Sequence, residues 1–61
     1  MNVETLVGMQ IQDATRRATE SGFVVKVEQA GLPVQLMNDF QINRVVLQIS
    51  QDGTVTSARN A

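Results

Sequence analysis

Residues 31–49 read GLPVQLMNDFQINRVVLQI, and the fold depends on how this stretch divides. Its second half has the alternation of a strand. Val45, Leu47 and Ile49 fall on one face and Arg44, Val46 and Gln48 on the other, because successive side chains of an extended chain point to opposite sides. A strand is therefore predicted over 42–50. The first half instead sets Leu36 and Met37 beside Asn38 and Asp39. One arrangement makes 34–41 a hairpin with Asn38-Asp39 as its turn, since both residues tolerate left-handed geometry. The other makes residues 30–41 an extended connection, long enough to join two parallel strands. Connections of that length without structure of their own are uncommon in compact domains and usually functional. The residues by themselves leave both arrangements open.

Working outward, the segments on either side are clearer. In QIQDATRRATES (10–21), Ile11, Ala14, Thr15 and Ala18 recur at the i, i+3, i+4, i+7 spacing of one helical face. Asp13 in the first turn and Arg16 and Arg17 further along suit the helix dipole, and Gly22 is placed to take the left-handed conformation that ends a helix. Gln10 is a poor N-cap, so the stop is better marked than the start. FVVKVEQ (23–29) is β-branched and partly alternating, which predicts a strand with one side against the helix. Downstream, Asp52-Gly53 between alternating segments predicts a hairpin, with a last strand from Thr54 to about Ala58 antiparallel to 42–50.

Composition removes several functions. At 61 residues the chain is a single domain, 1–61, near the size at which folding removes only roughly 60% of the unfolded surface from water. With no Cys and no His, neither a disulfide nor a zinc site can staple it, so the core or a partner subunit must hold it. The same absence leaves no base-activated nucleophile, no catalytic residue and no metal ligand set, and we expect no enzyme and no cofactor. Net charge is −1, and the cations are scattered as Arg16, Arg17, Lys26, Arg44 and Arg59. They form no basic stripe of the kind nucleic acid requires. No apolar run approaches the ~20 residues that span a bilayer, and MNVETLVG lacks the form of a signal peptide. A soluble chain of undetermined compartment, without nucleic-acid or membrane partners, is expected.

Taken together, ETLVGMQIQDATRRATESGF, DFQINRVVLQI and DGTVTSARNA resemble the potato inhibitor I family of serine protease inhibitors, which includes the barley chymotrypsin and subtilisin inhibitors and the eglins. The resemblance covers nearly the whole chain. Leu6-Val7-Gly8 and Arg44-Val45-Val46-Leu47 match two family landmarks, an opening Leu-Val-Gly before the helix and an Arg-Val-x-Leu strand after the protease-binding loop. It implies an α+β fold: a single helix packed on a small mixed sheet, an extended loop joining two parallel strands, and a C-terminal antiparallel hairpin. It also implies a reactive loop of Gln35, Leu36, Met37, Asn38, Asp39, Phe40 and Gln41, with Asn38–Asp39 as the scissile bond. Between Gly31 and Phe40 the chain is about two residues longer than the family loop, which offers Met37–Asn38 as the alternative bond and Met37 or Leu36 as the residue entering the specificity pocket.

In related inhibitors, hydrogen bonds and ion pairs from the loop to arginines on the adjoining strand support it. By resemblance, Asp39 and Arg44 form such a pair and Arg59 matches a further family arginine. A second strand arginine and its threonine partner are replaced here by Val46 and Met37 together, a polar contact exchanged for an apolar one that leaves no orphaned charge. The implied function is substrate-like, tight-binding inhibition of a subtilisin- or chymotrypsin-type protease by a monomer. The alternative is an interaction or oligomerisation module of the same fold that has lost inhibitory geometry. Plainer roles exist for each residue: Arg44 as a solvated strand residue, Leu36, Met37 and Phe40 as core or dimer contact, Pro33 as a stiffener of the connection.

Overall fold

The computed structural model describes residues 2–29 and 41–61. The chain opens with a 3₁₀ turn, Val3–Leu6, capped by the Asn2 side chain accepting from the Glu4 N–H at 3.0 Å. Helix α1 (Ile11–Glu20) and strands β1 (Val24–Gln29), β2 (Arg44–Ile49) and β3 (Val55–Asn60) follow. The sheet has the order β1-β2-β3, with β1 parallel to β2 and β2 antiparallel to β3. This is the α+β architecture expected, one helix on a small mixed sheet.

Helix α1 forms where its periodicity places it. Ala14 and Ala18 are fully buried against the sheet while Asp13, Arg16 and Glu20 face water, linked as Arg16–Asp13 at 3.0 Å and Arg16–Glu20 at 3.9 Å. Exposed pairs of this kind contribute only a few tenths of a kcal/mol each; burial fixes the helix. Alanine at both contact positions lets the helix axis approach the strands closely, so the core is thin. It comprises Leu6, Ala14, Ala18, Val45, Leu47 and Val55, with Phe23, Val25, Ile49 and Ala58 packed around them. As the sequence anticipates, Gln10 makes no side-chain cap, and Gly22 ends the helix with φ +88.

The β1–β2 register runs from Val24↔Arg44 to Gln29↔Ile49. Parallel neighbours rule out a tight hairpin between these strands, because residues 30–43 must carry the chain from the end of β1 back to the start of β2. The possible hairpin about Asn38-Asp39 itself lies outside the described residues.

Strand boundaries differ from expectation, β1 beginning one residue later at Val24 and β2 ending one earlier at Ile49. Strand β2 begins at Arg44, because the Arg44 N–H donates to the Gln41 carbonyl at 3.1 Å and closes a turn that takes Ile42 and Asn43 out of the sheet. Strand β3 begins and ends later, at Val55 and Asn60, because Val46↔Arg59 and Val45↔Asn60 prolong the ladder.

The hairpin turn is also wider than a two-residue Asp-Gly turn. The Gly53 N–H donates to the Ser50 carbonyl at 3.0 Å and the Ser50 N–H to the Thr54 carbonyl at 2.9 Å. Only Gly53, not Asp52, has positive φ (+84). This is the pattern of a three-residue loop closed by a left-handed glycine.

Asp52 is the keystone of that loop. Its carboxylate accepts from the Ser50 hydroxyl and from the Thr54 N–H at 3.0 Å. These bonds, the Ser50 hydroxyl first, hold its pKa below the ordinary 3.8. A carboxyl whose folded pKa is depressed stabilises the native state above its unfolded pKa, and that contribution disappears as pH falls through the depressed value. Asp52→Ala should therefore lower the urea midpoint at pH 7, with the gap to the parent chain closing as pH falls from 4 toward 2. A gap that stays constant would show that the carboxylate's charge is not what the turn uses.

Candidate functional site

The site is built from the sheet face turned away from α1. Strand alternation puts Val25, Val45, Leu47 and Val55 toward the helix, which places Lys26 and Glu28 of β1, Arg44, Val46 and Gln48 of β2, and Ser57 and Arg59 of β3 on the opposite face. In register, Val46 lies between Lys26 and Arg59. It is fully buried, yet belongs outside the cluster packed on the helix. Val46 is thus a closed contact rather than an exposed strand residue.

Arg59 is held from below by β1. Its Nη2 meets Glu28 Oε1 at 3.4 Å across the width of the sheet, with the glutamate side chain 12% exposed and the arginine 40%. The second oxygen, Glu28 Oε2, is buried without a hydrogen-bond partner. A nearly buried carboxylate with one unmet oxygen is costly unless a cation stays close, so Glu28 fixes where the guanidinium lies. Alternation alone could have placed Glu28 on the face of Arg59; that it reaches across β2 to it had no signal in the sequence.

Arg44 marks the start of β2, where several elements converge. Its Nε donates to the Ala61 carbonyl at 2.7 Å, and the Ala61 N–H donates back to the Arg44 carbonyl at 3.2 Å. Asn60 adds a clamp that the sequence did not advertise. Its Nδ2 donates to the Ile42 carbonyl at 2.8 Å and to the Arg44 carbonyl at 2.6 Å. The Val24 N–H meanwhile donates to the Asn43 carbonyl at 2.7 Å.

Of the residues the resemblance assigns to the site, Gln35, Leu36, Met37, Asn38, Asp39 and Phe40 lie outside the described residues, and with them both candidate scissile bonds and the Asp39–Arg44 pair. Gln41 is exposed at the mouth of the clamped turn. Arg44, Val46 and Arg59 share the sheet face described above. A separate shallow groove along the polar side of α1, between Asp13, Arg17 and Ser21, is lined by exposed side chains. Among the described residues no group of three acidic, His or Cys side chains converges as a metal site, and no helix is long and apolar enough to cross a membrane. In comparisons with known proteins, no family model matches the chain and no curated protein matches it.

Proposed function

We propose that the chain is a substrate-like inhibitor of a serine protease of the subtilisin or chymotrypsin type, with residues 35–41 as the segment offered to the enzyme's cleft. The observation that carries this reading is the parallel pairing of β1 with β2. It makes residues 30–43 span the sheet from one end to the other, and the span delivers Gln41 to a turn tied down by its own backbone, by β1 and by β3. An inhibitor of this class lends the enzyme an extended strand, gaining main-chain hydrogen bonds while one side chain fills the specificity pocket. Tight binding then requires that little conformational freedom be lost on docking. Anchoring immediately after the segment serves that requirement. It also keeps the new amine beside the acyl-enzyme if the bond is cut, so that resealing competes with release.

Arg44 and Arg59 support the same reading as cations fixed on the sheet face, Arg59 by Glu28 and Arg44 by Ala61. Titration of subtilisin and chymotrypsin with the protein tests it. Stoichiometric inhibition, with mass spectrometry finding at most a single cut between residues 36 and 39, is expected. Absence of inhibition at micromolar concentration, or rapid digestion throughout that segment, overturns it.

A further inference from the structure

Asp52 is the only Asp or Asn of the chain that is followed by glycine. An aspartyl residue in that position can rearrange without an enzyme. The backbone nitrogen of the next residue attacks the side-chain carboxyl carbon, a C–N bond closes a five-membered ring, and the carboxylic OH leaves with the amide proton as water. Water then reopens the ring at either carbonyl, returning aspartate or leaving isoaspartate, whose main chain runs through the side-chain carbons. Glycine favours ring closure because no side chain crowds the attacking nitrogen.

In this fold both reacting groups are already engaged. The Gly53 N–H, which must give up its proton, donates to the Ser50 carbonyl at 3.0 Å. The Asp52 carboxylate accepts from the Ser50 hydroxyl and from the Thr54 N–H at 3.0 Å. The same bonds, the Ser50 hydroxyl first, lower its pKa and so favour the ionised form, whereas the neutral acid is the form that loses water readily. The loop must therefore open before the ring can close.

The loop also supports the start of α1. The Ile11 N–H, one of the donors that a helix start leaves unmet, donates to the Gly53 carbonyl at 2.8 Å. Gln10, which makes no side-chain cap of its own, donates from Nε2 to Thr54 Oγ1 at 3.2 Å. We propose that Asp52-Gly53 is the chain's site of spontaneous isomerisation, restrained in the native loop by Ser50 and Thr54, and that its conversion loosens α1 along with the hairpin. An isoaspartyl linkage adds one carbon to the main chain inside a three-residue loop. It moves Gly53 from the position that its bonds to Ser50 and Ile11 require. The consequence falls on the fold, whether or not residues 35–41 engage a protease.

The test holds the intact chain at neutral pH, native and unfolded in guanidinium chloride, and locates isoaspartate by peptide mapping with electron-transfer fragmentation. In the unfolded chain residue 52 should be the principal site. In the native chain the reaction should be at least about tenfold slower, because only locally opened molecules react. Ser50→Ala, with its folding checked by circular dichroism, should react severalfold faster than the native parent and no faster when unfolded. Native chains carrying isoaspartate at 52 should lose helical circular dichroism at a lower urea concentration than fresh ones. Equal rates in the native and unfolded parent, a comparison that needs no variant, overturn the proposal. So does isoaspartate arising mainly at Asp13 or Asp39 in the unfolded chain. An unchanged urea midpoint after conversion at 52 refutes the link to α1.

Discussion

Replacing Leu47 with alanine is expected to cost about 3–5 kcal/mol and to leave much of the population unfolded at 25 °C. Leu47 is fully buried at the centre of β2, on the face shared with Ala14, Ala18, Val45 and Val55. Its neighbours on the helix are alanines with no reach to fill the space. The cavity would therefore persist, and the cost approaches the upper end of the range for such substitutions. A domain of 61 residues has a total stability on the order of 3–9 kcal/mol, so this one side chain represents a large share. The chain has no Trp and no Tyr, so urea unfolding is best followed by far-ultraviolet circular dichroism. A loss below about 1 kcal/mol would mean that the helix settles onto the sheet and closes the gap.

The second large effect concerns Val46, where the resembled family carries arginine. Val46→Arg is expected to destabilise by about 3–5 kcal/mol, the range for an uncompensated buried charge. The valine is fully buried, and its register partners on both flanking strands, Lys26 and Arg59, are cations. A third positive charge between them is desolvated and repelled, while Glu28 on the same face already holds Arg59. Val46→Met separates bulk from charge; overpacking alone costs about 1–3 kcal/mol. The arginine variant should also recover part of its loss as salt is raised, because repulsion between cations is screened. Equal midpoints for the two variants would show that the guanidinium escapes to water.

Much of the fold was legible in the residues because two periodicities, 3.6 in 11–20 and 2 in 44–49, pick out the side chains that pack between helix and sheet, although β2 buries Val46 on its other face as well. Ile11, Ala14 and Ala18 and then Val45, Leu47 and Ile49 face each other as their spacing predicts. The strand ends were less legible because tertiary partners set them. Asn60 captures the Ile42 carbonyl from across the chain and converts what reads as strand into a turn, and no local pattern reports such a bond. Asp52-Gly53 marked the hairpin correctly but not its width, because the left-handed conformation fell to glycine alone. The parallel pairing of β1 with β2, which periodicity left open, came only from the resemblance. For the site, Arg44, Val46 and Arg59 were named in advance, whereas Glu28, Asn60 and Ile42 take their roles from neighbours remote in sequence.

The open sheet has two margins, and they are not equally protected. Along β3 the chain's own beginning seals the start of the strand: the Gly8 N–H donates to the Val55 carbonyl and the Val55 N–H to the Met9 carbonyl, both at 2.8 Å, and Gln10 bridges Thr54. Along β1 no described residue does the same, and its sequence, VVKVEQ, is one substitution from four consecutive valines. Unguarded strand borders of that composition are templates for intermolecular stacking and fibre growth, and a lysine at mid-strand is a common deterrent. Lys26 stands at the middle of that strand, where a lysine discourages another copy from adding itself alongside.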